Sequence, residues 1–119
     1  MHNLKEILIW KKAIDLSKLV YLLCAELPVD EKYGLINQIK RAVISIASNI
    51  AEGAGRNSDK EFLHFLGIAQ GSSFELLTQL ILCNELNLIE ESKTTSIIEK
   101  LEEIQKMNYA FQKNLKSKI

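Results

Sequence analysis

Proline occurs once in this chain, at Pro28, and glycine only five times in 119 residues. So few breakers leave long uninterrupted windows, which argues against the short strands and frequent turns of a β fold. Cysteine is limited to Cys24 and Cys83, with no CxxC pair and no histidine at ligand spacing. That excludes a disulfide scaffold and a zinc site; the two residues read as buried thiols in a reduced compartment, a disulfide between them being the lesser reading. No apolar run approaches the ~20 residues that span a bilayer: Val20–Ala25 is far too short. The apolar stretch Ile7–Trp10 is too brief for a signal peptide, so a cytoplasmic protein with no membrane role is expected. Charge of one sign is lacking too. Fifteen basic and fifteen acidic residues balance, with +2 in residues 1–60 and −2 in the rest. A nucleic-acid domain normally shows a clear basic excess, so any phosphate contact must come from a local or repeated patch.

What is present is helical periodicity. The spacing predicts a first helix from about Glu6 to Glu26, stopped by Pro28. A second runs from Tyr33 or Leu35 to Glu52, with Gly53 and Gly55 expected as left-handed terminators. Ser58 followed by Glu61 is a capping box opening a third helix that reaches about Glu85. A fourth starts near Glu90–Glu91 and ends among Lys113–Lys118, in keeping with the helix dipole. Apolar stripes such as Ile36, Ile39, Val43, Ile46 and Ile50 mark core faces. With short connections these four elements predict an all-α, antiparallel up-down-up-down four-helix bundle in a single domain. Between Leu16 and Leu27 the first helix is apolar in nearly every direction. A helix with no polar face is buried all round, which predicts a subunit interface and a homo-oligomer.

The segment from Tyr33 to Glu75 carries a second pattern. Gln38, Arg41, Ser45, Asn49 and Glu52 follow one another in steps of three and four, as do Ser72, Glu75 and Gln79. A hairpin turning near Gly55–Asn57 pairs residues whose numbers sum to roughly 112–114. That predicts a structural polar network of Gln38, Arg41, Ser45, Ser72 and Glu75 around a buried Arg41–Glu75 ion pair. Gly67 and Gly71 are then expected to let the second and third helices approach closely, against a helix-propensity cost of about 1 kcal/mol each. Asn49, Glu52 and Arg56, beside the turn, form a candidate surface cluster. His64 reads as a surface residue, and no metal-ligand spacing, phosphate loop, GxGxxG or GxSxG is present. No cofactor, metal or enzymatic activity is expected. The candidate nucleic-acid-binding residues are Lys11, Lys12, Lys18, Arg56 and Lys60, a set that a ring of subunits would multiply.

Trp10–Ala13, Gln38–Ala42, Ser45-Ile46, the run Ser48–Gly53 (SNIAEG), Arg56, Glu61-Phe62, Phe65-Leu66, Ala69 and Gly71-Ser72 follow a family pattern, together with Tyr33-Gly34-Leu35. On these residues the chain resembles the 23S rRNA-intervening-sequence proteins, a family related to the accessory protein of diversity-generating retroelements. The resemblance implies a bacterial, cytoplasmic, non-enzymatic four-helix bundle that assembles as a homopentamer, with RNA, DNA or a nucleic-acid-processing protein as partner. This chain departs in having Ala47 where proline is common, Lys40 where arginine is common, and a neutral balance unlike the basic retroelement branch. The leading expectation is an oligomeric interaction protein associated with RNA or ribonucleoprotein; the alternative is a protein-binding scaffold with no nucleic-acid role.

Overall fold

The computed structural model describes residues 2–31 and 34–119. Tyr33, one expected start of the second helix, lies outside the described residues. Four helices follow in order: α1 (Leu8–Cys24), α2 (Leu35–Ala54), α3 (Asp59–Glu85) and α4 (Glu91–Lys116), with single 3-10 turns at Leu4–Glu6 and Val29–Glu31. No strand occurs among the described residues. α2 packs on α1 and α3, and α4 closes the cycle against α3 and α1. Cross-helix bonds fix the directions. Ser45 meets Ser72 while Gly53 meets Phe62, Leu66 meets Asn108 while Gln70 meets Gln105, and Lys12 meets Glu103 while Glu26 meets Lys93, so neighbouring helices run antiparallel. The result is an up-down-up-down bundle measuring 46 × 22 × 20 Å.

The apolar stripes meet along its axis. Leu16 and Val20 of α1, Ile39, Val43, Ile46 and Ile50 of α2, Phe62, Leu66, Leu76 and Leu80 of α3, and Leu101 and Ile104 of α4 are all but fully buried. Each such side chain contributes on the order of 1.5–3 kcal/mol. Asn108 interrupts the α4 stripe yet is 1% exposed. Its amide donates to the Leu66 carbonyl at 3.1 Å, and its Oδ1 accepts from Gln112 at 2.7 Å, so the buried polar group is satisfied.

The ends of the helices follow local chemistry. Ser58 Oγ accepts from the Glu61 amide at 3.2 Å and donates to Glu61 Oε2 at 3.2 Å, the expected cap. α2 does not end as expected: no described glycine has positive φ, and Gly53 lies inside the helix. The left-handed terminator is Asn87, with φ 55°, after α3. The Leu88 amide bonds to the Cys83 carbonyl and the Asn87 amide to the Asn84 carbonyl, both at 3.0 Å, which is a Schellman ending.

Gly53 serves packing instead. A Cβ there would sit 2.7 Å from Phe62 Cδ1, 2.9 Å from Phe65 Cβ and 3.2 Å from the Phe62 carbonyl oxygen. This is the close approach of α2 and α3 that was expected at Gly67 and Gly71. Those two face open space, where an added Cβ would meet nothing within 4 Å. The register also differs. Ser45–Ser72 gives a sum of 117, about one helical turn beyond 112–114, because Phe62 and Phe65 seat in the Gly53 notch. At the same end His2 closes the bundle. Its backbone amide bonds to the Ala54 carbonyl at 3.1 Å, its ring to Asp59 at 3.0 Å, and the ring packs edge-on against Phe62 and Phe111.

Candidate functional site

The polar line on α2 opens onto the α2–α3 groove. Ser45 Oγ lies 2.8 Å from Ser72 Oγ and accepts from Asn49 Nδ2 at 2.9 Å, while the same amide donates to the Ser45 carbonyl at 2.8 Å. Ser72 is buried, so this short chain of polar groups sits at the floor. Gln38, Arg41, Ala42 and Glu75 complete the walls of a cleft of about 230 Å³. Arg41 and Glu75 stand on its rim, both exposed, with no ion pair between them among the described residues. The expected buried Arg41–Glu75 pair is therefore not formed. At the observed register the two are level, but their positions on the helices turn them outward to water.

A second depression, about 510 Å³, lies on the other side of α2 between Tyr21, Asn37, Lys40, Ile44 and Ser48. It shares Arg41 and Ser45 with the first, whereas Asn49 lines only the second. Lys40 Nζ lies 4.9 Å from the Tyr21 ring centroid, a cation–π contact. α2 thus carries a ridge of cation, hydroxyl and amide groups between two hollows. Such a surface can hold a ligand through hydrogen bonds and charge. Among the described residues Ser45 Oγ has Asn49 and Ser72 as its hydrogen-bond partners.

The other expected sites divide. Asn49 turns inward to Ser45, away from Glu52 and Arg56. Arg56 Nε approaches Glu52 Oε2 at 3.4 Å without hydrogen-bond alignment, and its guanidinium covers the Phe65 ring at 4.7 Å. The cluster at the turn is thus a charge pair beside a separate amide. Among the lysines, Lys12 is paired with Glu103 at 2.5 Å and Lys18 with Asp15 at 3.8 Å. Lys12 holds the Glu103 carboxyl below the usual range. Lys11 and Lys60 are exposed near the end of the bundle that holds Arg56, whereas Lys18 lies beyond mid-height, so the five do not form one patch. No three His, Cys, Asp or Glu residues gather as a metal site among the described residues. Cys24 and Cys83 are buried free thiols, and burial pushes both up, Cys24 to about 11.

Sequence reasoning missed two surfaces. On α4, Lys106, Tyr109, Lys113 and Lys116 recur in steps of three and four, a signal read only as a helix terminus. On α3, the outward face carries Ile68, Phe74, Ile81 and Leu82 around the two glycines. α3 is long and apolar enough to cross a membrane by length and composition, though only a third of its most apolar stretch is buried in the bundle.

These features define a class: small antiparallel four-helix bundles with a polar α2 ridge and an apolar outer helix face. Within that class, the family model for 23S rRNA-intervening sequence proteins matches residues 5–110, and the chain belongs to that family. A solved structure from Bacteroides thetaiotaomicron, described as a protein of unknown function from the S23 ribosomal protein family, superposes with a TM-score of 0.82. It is 26% identical, and the match covers 88% of this chain and 98% of that one. No curated protein matches the chain.

Proposed function

We propose that this chain is a non-enzymatic, self-associating interaction protein of the cytoplasm, and that RNA or ribonucleoprotein is its partner class. The observation that carries self-association is the outer face of α3. Between Glu61 and Glu85 that helix bears one formal charge, Glu75. Phe74 is 54% exposed, with Ile68, Ile81 and Leu82 also outward. Gly67 and Gly71, four apart, cost roughly 1 kcal/mol each in a helix interior and bring no closer packing within the chain. Two glycines one turn apart suit the close approach of another helix backbone, since the side chains at a crossing set the interaxial distance. A lipid surface has no use for them and would not favour Glu75. The occupant is therefore a second copy, and the pentameric ring implied by the family is the expected assembly. Leu22 of α1, 68% exposed, extends the apolar surface that assembly can cover.

Sedimentation velocity tests this. The wild type is expected to sediment as an oligomer at micromolar concentration. Phe74→Glu, at a site open to solvent in the single chain, is expected to sediment as a monomer with unchanged helical circular dichroism. A monomeric wild type, or one that associates only with vesicles, overturns the reading.

A further inference from the structure

The fold gathers charge that the sequence spreads out. Residues 2–12, 52–64 and 106–119 share one end of the bundle and hold nine basic against four acidic side chains, a net +5. At the opposite end, residues 18–31, 34–41 and 75–93 hold four basic against seven acidic. Zero net charge therefore conceals one strongly basic pole. Helix dipoles do not account for it, since two N-termini and two C-termini meet there and largely cancel. Lys60 even stands in the first turn of α3, where the dipole favours an acid. Lys5, Lys11, Lys60, Lys106, Lys113, Lys116 and Lys118 have no carboxylate within ion-pair distance among the described residues.

The pole has a centre. Lys106, Tyr109, Lys113 and Lys116 fall on one exposed face of α4, and Tyr109 is 65% exposed. Asn108–Leu66 and Gln70–Gln105 set the α3–α4 register at sums of 174–175, which brings Lys60 level with Lys113. An aromatic ring open to solvent, flanked along the helix by unpaired lysines, combines the two elements of a single-strand platform. A base stacks on the ring while the lysines follow the phosphates. Building on the RNA association proposed above, we infer that this pole is the site where single-stranded RNA docks, with Tyr109 as the stacking residue. In a closed ring of subunits every pole of one kind lies on the same rim, which multiplies a weak single contact.

Fluorescence anisotropy with a labelled 20-nucleotide oligo(U) strand, read at 50 and 200 mM salt, tests the assignment. Four neutralised phosphates predict a drop of about 50-fold in affinity across that range. Lys113→Gln with Lys116→Gln should weaken binding and flatten the log–log salt slope by roughly 1.4, about 0.7 for each phosphate left without its lysine. Tyr109→Ala should lower affinity about 5-fold or more while leaving the slope unchanged, because stacking is not ionic. Lys18→Gln with Lys100→Gln, away from the pole, should change little. Binding that survives the Tyr109 and Lys113/Lys116 variants but fails in Lys40→Gln, on the α2 ridge, overturns the pole while leaving RNA association intact. Absence of binding by the wild type at 50 mM salt overturns both. Dissociation of the oligomer by Tyr109→Ala would reassign that ring to the subunit interface and also overturn the inference.

Discussion

Replacing each of three helix glycines by alanine separates packing from propensity. At Gly67 and Gly71 the new methyl meets no atom of its own chain, so within the subunit only the propensity gain remains, about 1 kcal/mol in each case. Any loss at the proposed helix–helix contact shows as a dependence on protein concentration. At Gly53 the same methyl would lie 2.7 and 2.9 Å from side-chain atoms of Phe62 and Phe65 and 3.2 Å from a backbone oxygen. Phe62 is fully buried, with its ring packed edge-on against those of His2 and Phe111. Overpacking of this kind costs about 1–3 kcal/mol and outweighs the gain, which is smaller one residue from the helix end. Gly53→Ala should therefore destabilise by about 1–2 kcal/mol, leaving it about 2–3 kcal/mol less stable than Gly67→Ala. With a urea m-value near 2 kcal/mol/M, the two midpoints should differ by roughly 1–1.5 M. Urea unfolding followed by circular dichroism at several protein concentrations isolates the effect from association. A Gly53→Ala midpoint equal to or above that of the wild type would refute the notch.

Arg41→Ala should cost under about 1 kcal/mol, because an exposed side chain on a cleft rim leaves no buried charge behind. A destabilisation of about 3–5 kcal/mol in urea unfolding would instead indicate the buried pair. Burial raises the Cys24 thiol to about 11, above its ordinary value near 9. A folded-state value that is raised gives stability fully present below pH 9 and lost as pH climbs toward 11, about 2–3 kcal/mol in all. Unfolding measured from pH 8 to 11 should show that decline, and the combined Cys24→Ala and Cys83→Ala variant should show less of it.

The helices were legible because each carries a periodic apolar stripe and recognisable ends, as at Ser58–Glu61 and before Pro28. The register was not. Loop arithmetic locates the turn, whereas the stagger of α3 on α2 is chosen by Phe62 entering the space beside Gly53. The polar network was half legible. Ser45 and Ser72 do bond, joined by Asn49, which was expected in the surface cluster instead. A shift of one turn and the outward positions of Arg41 and Glu75 decide that the ion pair is absent. Charge was the least legible property. Splitting the chain at residue 60 gives +2 and −2, yet antiparallel folding sorts residues by height, so segments far apart in sequence meet at one end. Asn87 as terminator was hidden because asparagine enters the left-handed region often without being required there.

The seam between α1 and α4 has a kinetic meaning. Ser45–Ser72, on the α2–α3 hairpin, closes 27 positions, while Glu26–Lys93, on the seam, closes 67. The longer loop adds about 0.8 kcal/mol of closure entropy. The seam is pinned by surface ion pairs, Lys12–Glu103 and Lys93–Glu26, which water and salt screen and which therefore hold it only weakly. A cavity of about 130 Å³ lies along it between Leu16, Leu19 and Ile104. Local contacts form early and distant ones late. The α1–α4 seam is therefore predicted to close after the local hairpins and to open first, which φ-values lower at seam positions such as Leu16 and Ile104 than within the α2–α3 and α3–α4 hairpins would show.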